Sequence, residues 1–227
     1  MNFRKKLFVI FLPVIVLSIS IISITTYWQG KRTVWECQEE MMRKMVEKTL
    51  GDLDNWFEDR LREGLLFSKN QIFIKALLGE NTEIAQNMLE EYLNASPIYE
   101  NLFLADAEGV EKLDAVGVSV GLDVKTIPIF APMIKRTMAG EVGISPVGKS
   151  PSTGRPVVLI TTPVFDEKEE LIGMVGTPLE LNAYSDEAIS LFKIGESGYL
   201  FMVDENGTYL AHPKKEWILE RNISQYD

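Results

Sequence analysis

The chain has 227 residues, of which 46% are hydrophobic and 25% are charged, and its formal net charge is −10. This composition excludes an intrinsically disordered chain and allows one or two globular domains. A single cysteine, Cys37, excludes an internal disulfide framework and a multi-cysteine zinc site, and a single histidine, His212, leaves few ligands for metal binding or histidine-dependent catalysis.

The first predicted element is a membrane span. Residues 7–28 include no charged side chain over 22 positions, and a helix of that length crosses a hydrocarbon core of about 30 Å. Basic residues precede the span, and Tyr27 and Trp28 lie where the far interface would be. These features predict a cytoplasmic N-terminus at residues 1–6 and an extracytoplasmic location for residues 33–227, in the cell (inner) membrane. A cleaved signal peptide is the alternative, although the apolar region is longer than usual and no small-residue cleavage site follows it.

The predicted extracytoplasmic part is strongly acidic. Residues 1–32 contain five of the 23 Lys and Arg side chains and none of the 33 acids, which leaves 18 basic against 33 acidic side chains and a formal charge of −15. Such a surface repels nucleic acid and anionic lipid headgroups. We therefore predict no nucleic-acid partner.

A long amphipathic helix is predicted from Val34 to about Leu78, with a break near Gly64 or Ser68. Its apolar residues recur at intervals of three or four, which places them on one stripe. The stripe predicts a core face, a dimer seam or both. Because the helix follows the span directly, it is a mechanical element between an outer domain and the bilayer. The stripe consists of Val46, Leu50, Leu53, Phe57, Leu61 and Leu65.

The rest of the chain predicts a shorter helix followed by strands. The helix begins at Asn81 or Thr82 and ends before Ser96 and Pro97. From Tyr99 onward four segments have the pattern of short strands, with a loop and a short helix at residues 127–139 after the first. They are ENLFLADAEG, EVGISPVGKS, RPVVLITTPVFD and ELIGMVGTPLEL. This order predicts an α+β fold, in which a curved antiparallel sheet packs on helices.

One strand-and-turn pattern occurs twice. LFLADAEG at residues 102–109 and LFMVDENG at residues 200–207 both place an apolar run before an Asp and a Gly. Glycine supplies the positive φ angle that such turns need. The repeat predicts two related modules in one chain.

These pieces together resemble the extracytoplasmic double Cache domain of bacterial transmembrane receptors, most familiar from methyl-accepting chemotaxis proteins. The resemblance implies two stacked PAS-like modules in a homodimer, a membrane-distal one at residues 79–190 and the beginning of a membrane-proximal one at residues 191–227. It also implies that the rest of the proximal module, a second membrane helix and a cytoplasmic output domain follow Asp227. The matching pieces are the N-terminal anchor, NWFEDRLREG, YENLFLADAEG, STGRPVVLITTPV, GMVGTPLEL and GESGYLFMVDENGTYLAHP.

The function implied by the resemblance is small-ligand sensing by a chemotaxis transducer. The sensor region of a membrane histidine kinase or of a diguanylate cyclase is the alternative. Sensing through a partner protein, and a non-signalling adhesion or scaffold role, also stay open.

An enzyme is the rival class. Residues 143–150, GISPVGKS, match the phosphate-binding pattern G-x-x-x-x-G-K-[ST], but Pro151 and Pro156 prevent the helix that this loop requires. There is no G-x-S-x-G motif, and His212 has no evident Ser or Cys partner. We therefore predict no catalytic residues, no metal and no cofactor, and keep an extracytoplasmic hydrolase as the competing hypothesis.

The predicted ligand site departs from that of the amino-acid-binding branch of the family. That branch implies an Arg ahead of an aromatic pair, a Tyr and an Asp on the next hairpin, and an Asp on the last strand. Here the segment from Ile127 to Ile134 contains no Arg or Trp, and the other three positions fall near Val147, Lys149 and Pro178. An α-amino acid held through its ammonium group is therefore disfavoured.

A lysine near an expected aspartate suggests a ligand of opposite charge. If the Lys149 ammonium faces the pocket, it complements an organic anion; the alternative is that Lys149 lies in a solvated hairpin turn. Phe130 and Met133 would supply apolar walls, and Thr161 or Thr177 would offer hydroxyl groups.

Overall fold

The computed structural model describes residues 3–189, 193–194 and 198–226, in two compact units, Met1–Asp54 and Asn55–Asp227. The predicted boundary between the two Cache modules lies between residues 190 and 191, and both are outside the described residues. The predicted cytoplasmic residues 1–2 are also outside them.

The first unit consists of the greater part of helix α1 (Phe3–Ser68). From Phe11 onward this helix includes a stretch long and apolar enough to cross a membrane by length and composition. The hydroxyl groups of Ser18, Ser20 and Thr25 donate hydrogen bonds to carbonyl oxygens four residues earlier, at 2.8 to 2.9 Å. These bonds satisfy the hydroxyl groups without water, as an apolar environment requires.

The second unit begins with the end of α1 and two further helices. The break predicted near Ser68 is confirmed, because α1 ends there and α2 (Gln71–Leu77) follows. Asn70 starts α2 by accepting a hydrogen bond from the Ile72 amide at 2.9 Å. Helix α3 (Thr82–Ala95) has the predicted bounds.

A six-stranded antiparallel sheet follows, in the order β2-β1-β6-β5-β3, with β4 also paired to β5. The segment EVGISPVGKS, interpreted from sequence as one strand, forms two short ones, and β2 was not predicted at all. The strands are β1 (Phe103–Asp106), β2 (Glu111–Asp114), β3 (Gly143–Ile144), β4 (Gly148–Lys149), β5 (Pro156–Phe165) and β6 (Leu171–Glu180).

Each face of the sheet buries its own hydrophobic core, because successive side chains along a strand point to opposite faces. One face packs on the end of α1, α2 and α3 through residues such as Phe73, Leu104 and Ile160. The other face packs on α4 (Ala131–Met138), where Phe103 and Phe130 are buried. The predicted α+β class, with a sheet on helices, is confirmed.

The repeated strand-and-turn pattern is a repeat of structure. Asp106 accepts hydrogen bonds from the amides of Glu108 and Val110 at 3.0 and 2.9 Å. Asp204 accepts the equivalent bonds from residues 206 and 208 at 2.9 and 2.8 Å. Gly109 and Gly207 have the same positive φ of 82°. The aspartate therefore organises both turns through the same contacts.

The remaining elements are short and lie mostly at the C-terminal end. They include two small two-stranded sheets and a helical segment after β6. They are a 3₁₀ turn (Val124–Thr126), α5 (Leu181–Tyr184) continuing as a π-turn (Ser185–Ile189), β7 (Lys193–Ile194), β8 (Gly198–Tyr199), β9 (Met202–Val203), β10 (Tyr209–Ala211) and two 3₁₀ turns (Lys215–Trp217 and Ile223–Tyr226).

Candidate functional site

A small cavity lies on the α4 side of the sheet. Its volume is about 20 Å³, which is room for about one water molecule. Aromatic and aliphatic side chains form most of its wall, and the turn between β4 and β5 covers one side. The lining residues are Asn101, Phe103, Glu111, Val124, Phe130, Ser150, Pro151, Ser152, Val157, Leu159 and Pro178.

The ionisable group in the wall is a buried carboxyl group, that of Glu111. Glu111 is only 3% exposed, and its Oε2 atom accepts no hydrogen bond from the described residues. Glu100, which is 2% exposed, also has both carboxylate oxygens without a hydrogen-bond partner among the described residues. Unpaired buried carboxylates are costly, so they usually neutralise or serve a ligand.

Burial sets the protonation of Glu111. Removal from water raises the pKa of its carboxyl group from 4.5 to about 8, and the negative charges of Asp114 and Glu100 add to the rise. An interaction with the Ser119 hydroxyl opposes this shift. Glu111 therefore holds its proton at neutral pH in the closed cavity.

Asp114 behaves in the opposite way because it is hydrogen-bonded. Burial alone would raise its pKa, but hydrogen bonds from Ser119, Asn101 and Val116 prevail and hold that pKa below its usual value. One carboxylate oxygen of Asp114 accepts hydrogen bonds from the Ser119 amide and the Ser119 hydroxyl, both at 2.6 Å. Ser119 in turn accepts a hydrogen bond from the Ser152 hydroxyl at 3.2 Å. The charged Asp114 thus fixes a loop that contacts the turn covering the cavity.

Of the five predicted ligand-binding residues, the structure places one in the cavity wall and two close to it. Phe130 lines the cavity. Met133 packs in the same core as Phe130. The Thr161 hydroxyl lies on the same side of the sheet, 2.6 Å from the Thr137 hydroxyl of α4.

The other two predicted residues lie elsewhere. Thr177 points to the same face of the sheet as Val175 and Leu179, and these two belong to the core opposite the cavity. The Thr177 hydroxyl donates a hydrogen bond to the Ile160 carbonyl. Lys149 is solvent-exposed, and its ammonium pairs with the carboxylate of Glu220 at 2.6 Å. These two are therefore not brought together with Phe130.

Sequence reasoning missed the polar residues of the site. Glu111 lies in β2, whose four residues EKLD carry no alternating apolar pattern, so no strand was predicted there. Asn101 precedes β1, and its buried Oδ1 atom accepts hydrogen bonds from the amides of Leu102 and Val116. Pairing with β1 is the tertiary contact that buries Glu111, and no local sequence signal reports it.

A polar contact joins the cavity region to the end of helix α1. The Tyr99 hydroxyl, two residues before the cavity residue Asn101, donates a hydrogen bond to the carboxylate of Glu63. Burial and the Glu63 carboxylate raise the pKa of Tyr99. Glu63 also pairs with Arg60 at 2.8 Å. The Tyr99 hydroxyl group therefore links the chain beside the cavity to the end of α1.

The phosphate-loop motif at residues 143–150 does not have the required structure. Gly143–Ile144 and Gly148–Lys149 are short strands, and the following residues form a turn into β5. A phosphate loop instead needs a helix whose first amides point at the anion. Among the described residues, no group of three or more His, Cys, Asp or Glu side chains could hold a metal ion.

Comparison with protein families gives a match over nearly the whole chain. Residues 30–226 match the Cache domain family. The chain is 22% identical over 221 residues to the methyl-accepting chemotaxis protein McpA of Pseudomonas putida, covering 97% of this chain and 33% of McpA. It is 24% identical over 222 residues to the methyl-accepting chemotaxis protein TlpB of Bacillus subtilis, covering 93% of this chain and 31% of TlpB. The chain thus spans about a third of the length of these relatives.

Solved structures share the fold. The sensor domain of the histidine kinase DctB from V. cholerae superimposes with a TM-score of 0.64 at 16% identity, covering 82% of this chain and 72% of that one. The ligand-binding domain of the amino acid chemoreceptor PctB of Pseudomonas aeruginosa, in complex with L-Arg, has a TM-score of 0.60 at 21% identity, covering 82% and 75%. That of the Pseudomonas fluorescens chemoreceptor CtaA, in complex with L-serine, has a TM-score of 0.57 at 20% identity, covering 79% and 73%.

Proposed function

The chain belongs to the Cache domain family, and we propose that it is the extracytoplasmic small-ligand sensing module of a transmembrane chemotaxis transducer. The observation that carries the proposal is the cavity lined by the buried Glu111, whose Oε2 atom has no hydrogen-bond partner among the described residues, in the same sheet that packs on the end of α1. The match to McpA and TlpB along almost the whole chain supports a chemotaxis output. The sensor region of a histidine kinase is the second candidate, supported by the shared fold of DctB.

We further propose that α1 anchors this module in the membrane and that a second copy covers its exposed apolar side chains. Apolar residues of the first unit, beyond the predicted span, are more than a third exposed, which is unusual unless a partner covers them. The exposed residues are Val34, Trp35, Met41, Met42, Val46 and Leu50.

A hybrid receptor tests the sensing function. Residues 1–227 are joined to the remaining part of TlpB and expressed in cells without other chemoreceptors, and the response to an array of small molecules is measured. We expect at least one attractant or repellent response, and we expect Leu159→Trp to abolish it because the indole fills the cavity that Leu159 lines.

The matched control is Leu78→Trp, because Leu78 is 57% exposed and does not line the cavity. Its response should equal that of the unmodified hybrid. A response that survives Leu159→Trp at full strength would place the sensing surface elsewhere, and silence to the whole array would contradict small-ligand sensing.

Crosslinking tests whether the contact between Tyr99 and Glu63 transmits the signal. Single cysteines are placed along residues 46–61 in the Cys37→Ser background, and disulfide formation in membranes is compared with and without the compound that drives the hybrid. We expect the pattern to change with the compound, and Tyr99→Phe to reduce the change severalfold while binding persists, because the variant removes only the bond to α1. An identical change in Tyr99→Phe would show that this bond is dispensable.

A further inference from the structure

The cavity contains an acidic side chain, whereas the binding site predicted from the sequence contains a basic one. Its lining includes Glu111 and, among the described residues, no Lys, Arg or His side chain. Lys149, the cation expected there, pairs at the surface with Glu220. A carboxylate ligand would therefore find an acid and no counter-charge.

Two features of the wall suit a cation. Glu111 presents an oxygen without a hydrogen-bond partner on a side chain that is 3% exposed, so it can accept an N–H donor from a ligand. Phe103 and Phe130 both line the cavity, and aromatic faces attract ammonium groups. Val157 and Leu159 complete an apolar wall of the kind that contacts hydrocarbon groups.

We propose that this cavity recognises a primary amine without a carboxylate, with its ammonium group on Glu111 and its hydrocarbon tail between Phe103, Phe130 and Leu159. The inference rests on the proposed sensing function and names the ligand class of the same site. The closed cavity holds about one water, so the turn at Ser150 to Ser152 moves outward to admit the amine.

Binding expels a proton. Glu111 is protonated in the closed state, and the arriving ammonium group keeps its own charge while the carboxyl proton leaves to the buffer. The charged groups near Glu111 are Glu100 on the chain before β1 and Asp114 on β2, and both favour the protonated form before the amine arrives. At pH 7, binding of the amine should therefore release protons to the buffer.

Calorimetric titration of the full chain in detergent tests the proposal with three size-matched probes. They are isoamylamine, isoamyl alcohol, which lacks the charge, and leucine, which adds a carboxylate. Repeating the titration in buffers of different ionisation enthalpy counts the released protons. We expect isoamylamine to bind, the alcohol and leucine to bind much more weakly, and proton release on binding of the amine.

Glu111→Gln should weaken amine binding by about 30-fold or more, because the ammonium group loses its charged partner. Glu108→Gln is the matched control, since it makes the same substitution at an exposed position in the same hairpin and should leave the affinity unchanged. The proton count in the unmodified chain gives a readout that does not depend on how well either variant folds.

Three binding results would each overturn part of the proposal. Preferential binding of leucine would overturn the ligand class, equal amine affinity in Glu111→Gln would overturn the contact with Glu111, and amine binding without proton release would overturn the protonated closed state. In each of them a responsive hybrid receptor would leave the sensing function intact. No binding of isoamylamine also overturns the ligand class, and only a hybrid receptor that is silent to the whole array overturns the sensing function as well.

Discussion

Gly176→Val should lower the melting temperature of the second unit by about 6 to 12 °C, which corresponds to about 3 kcal/mol of stability. Gly176 and Phe103 are directly paired across β6 and β1. A Cβ atom at Gly176 would overlap three carbon atoms of the Phe103 ring, so the ring covers the glycine. Phe103 is 3% exposed and lines the cavity, so it can move only by disturbing the core and the site together.

A matched glycine separates this overlap from the general effect of adding a side chain. Gly51→Ala places its Cβ where nothing lies within 4 Å, inside helix α1, and because Gly51 belongs to the first unit it should leave the melting temperature of the second unit unchanged. A double-mutant cycle with Phe103→Leu and Gly176→Val should recover part of the loss, because the smaller side chain vacates the overlapping space. Strict additivity in that cycle, or an unchanged melting temperature in Gly176→Val, contradicts the packing described here.

The second large effect is on the pH dependence of stability. The pKa of Glu111 is about 8 in the folded chain against 4.5 in the unfolded chain, so the folded state binds the proton more tightly. Between these two values the free energy of unfolding therefore falls as the pH rises. Glu111→Gln should remove this contribution, so the variant should gain about 1.4 kcal/mol over the unmodified chain for each pH unit between about 5 and 7.5.

Urea unfolding at several pH values between about 5 and 8 measures this slope. The difference between Glu111→Gln and the unmodified chain should be near zero at the acidic end and level off above about pH 8. Glu108→Gln, at an exposed position of the same hairpin, should show no such trend. A difference that is independent of pH would mean that Glu111 is ionised, and hence solvated or paired, in the folded chain.

The elements that the sequence predicts well are those with a strong local pattern. The helix break at Ser68, the helix Thr82–Ala95 and the two long strands β5 and β6 follow from periodicity, caps and turn residues. The repeated turns at Asp106 and Asp204 follow from the chemistry of Asp and Gly. Each of these signals lies within a few neighbouring residues.

The site was harder to predict because tertiary contacts create it. Phe130 lines the cavity, and its prediction depends on the resemblance to the Cache family, because no local pattern distinguishes it from other buried aromatic side chains. Glu111 was missed, because only the pairing of β2 with β1 converts this glutamate of a polar tetrapeptide into a buried group. The surface ion pair of Lys149 joins residues 71 positions apart, and no local pattern reports such a contact.

We propose that the chain is anchored in the membrane with its Cache domain outside the cell interior, and Cys37 tests this topology without any change to the domain. Cys37 is the single cysteine of the sequence, it is exposed, and it follows the predicted span by nine residues. A membrane-impermeant maleimide added to intact cells should label Cys37 fully, whereas Asn2→Cys in a Cys37→Ser background should be labelled only after the cells are opened. Labelling of Cys37 only after lysis, or recovery of a released chain that lacks its first thirty residues, would contradict this topology.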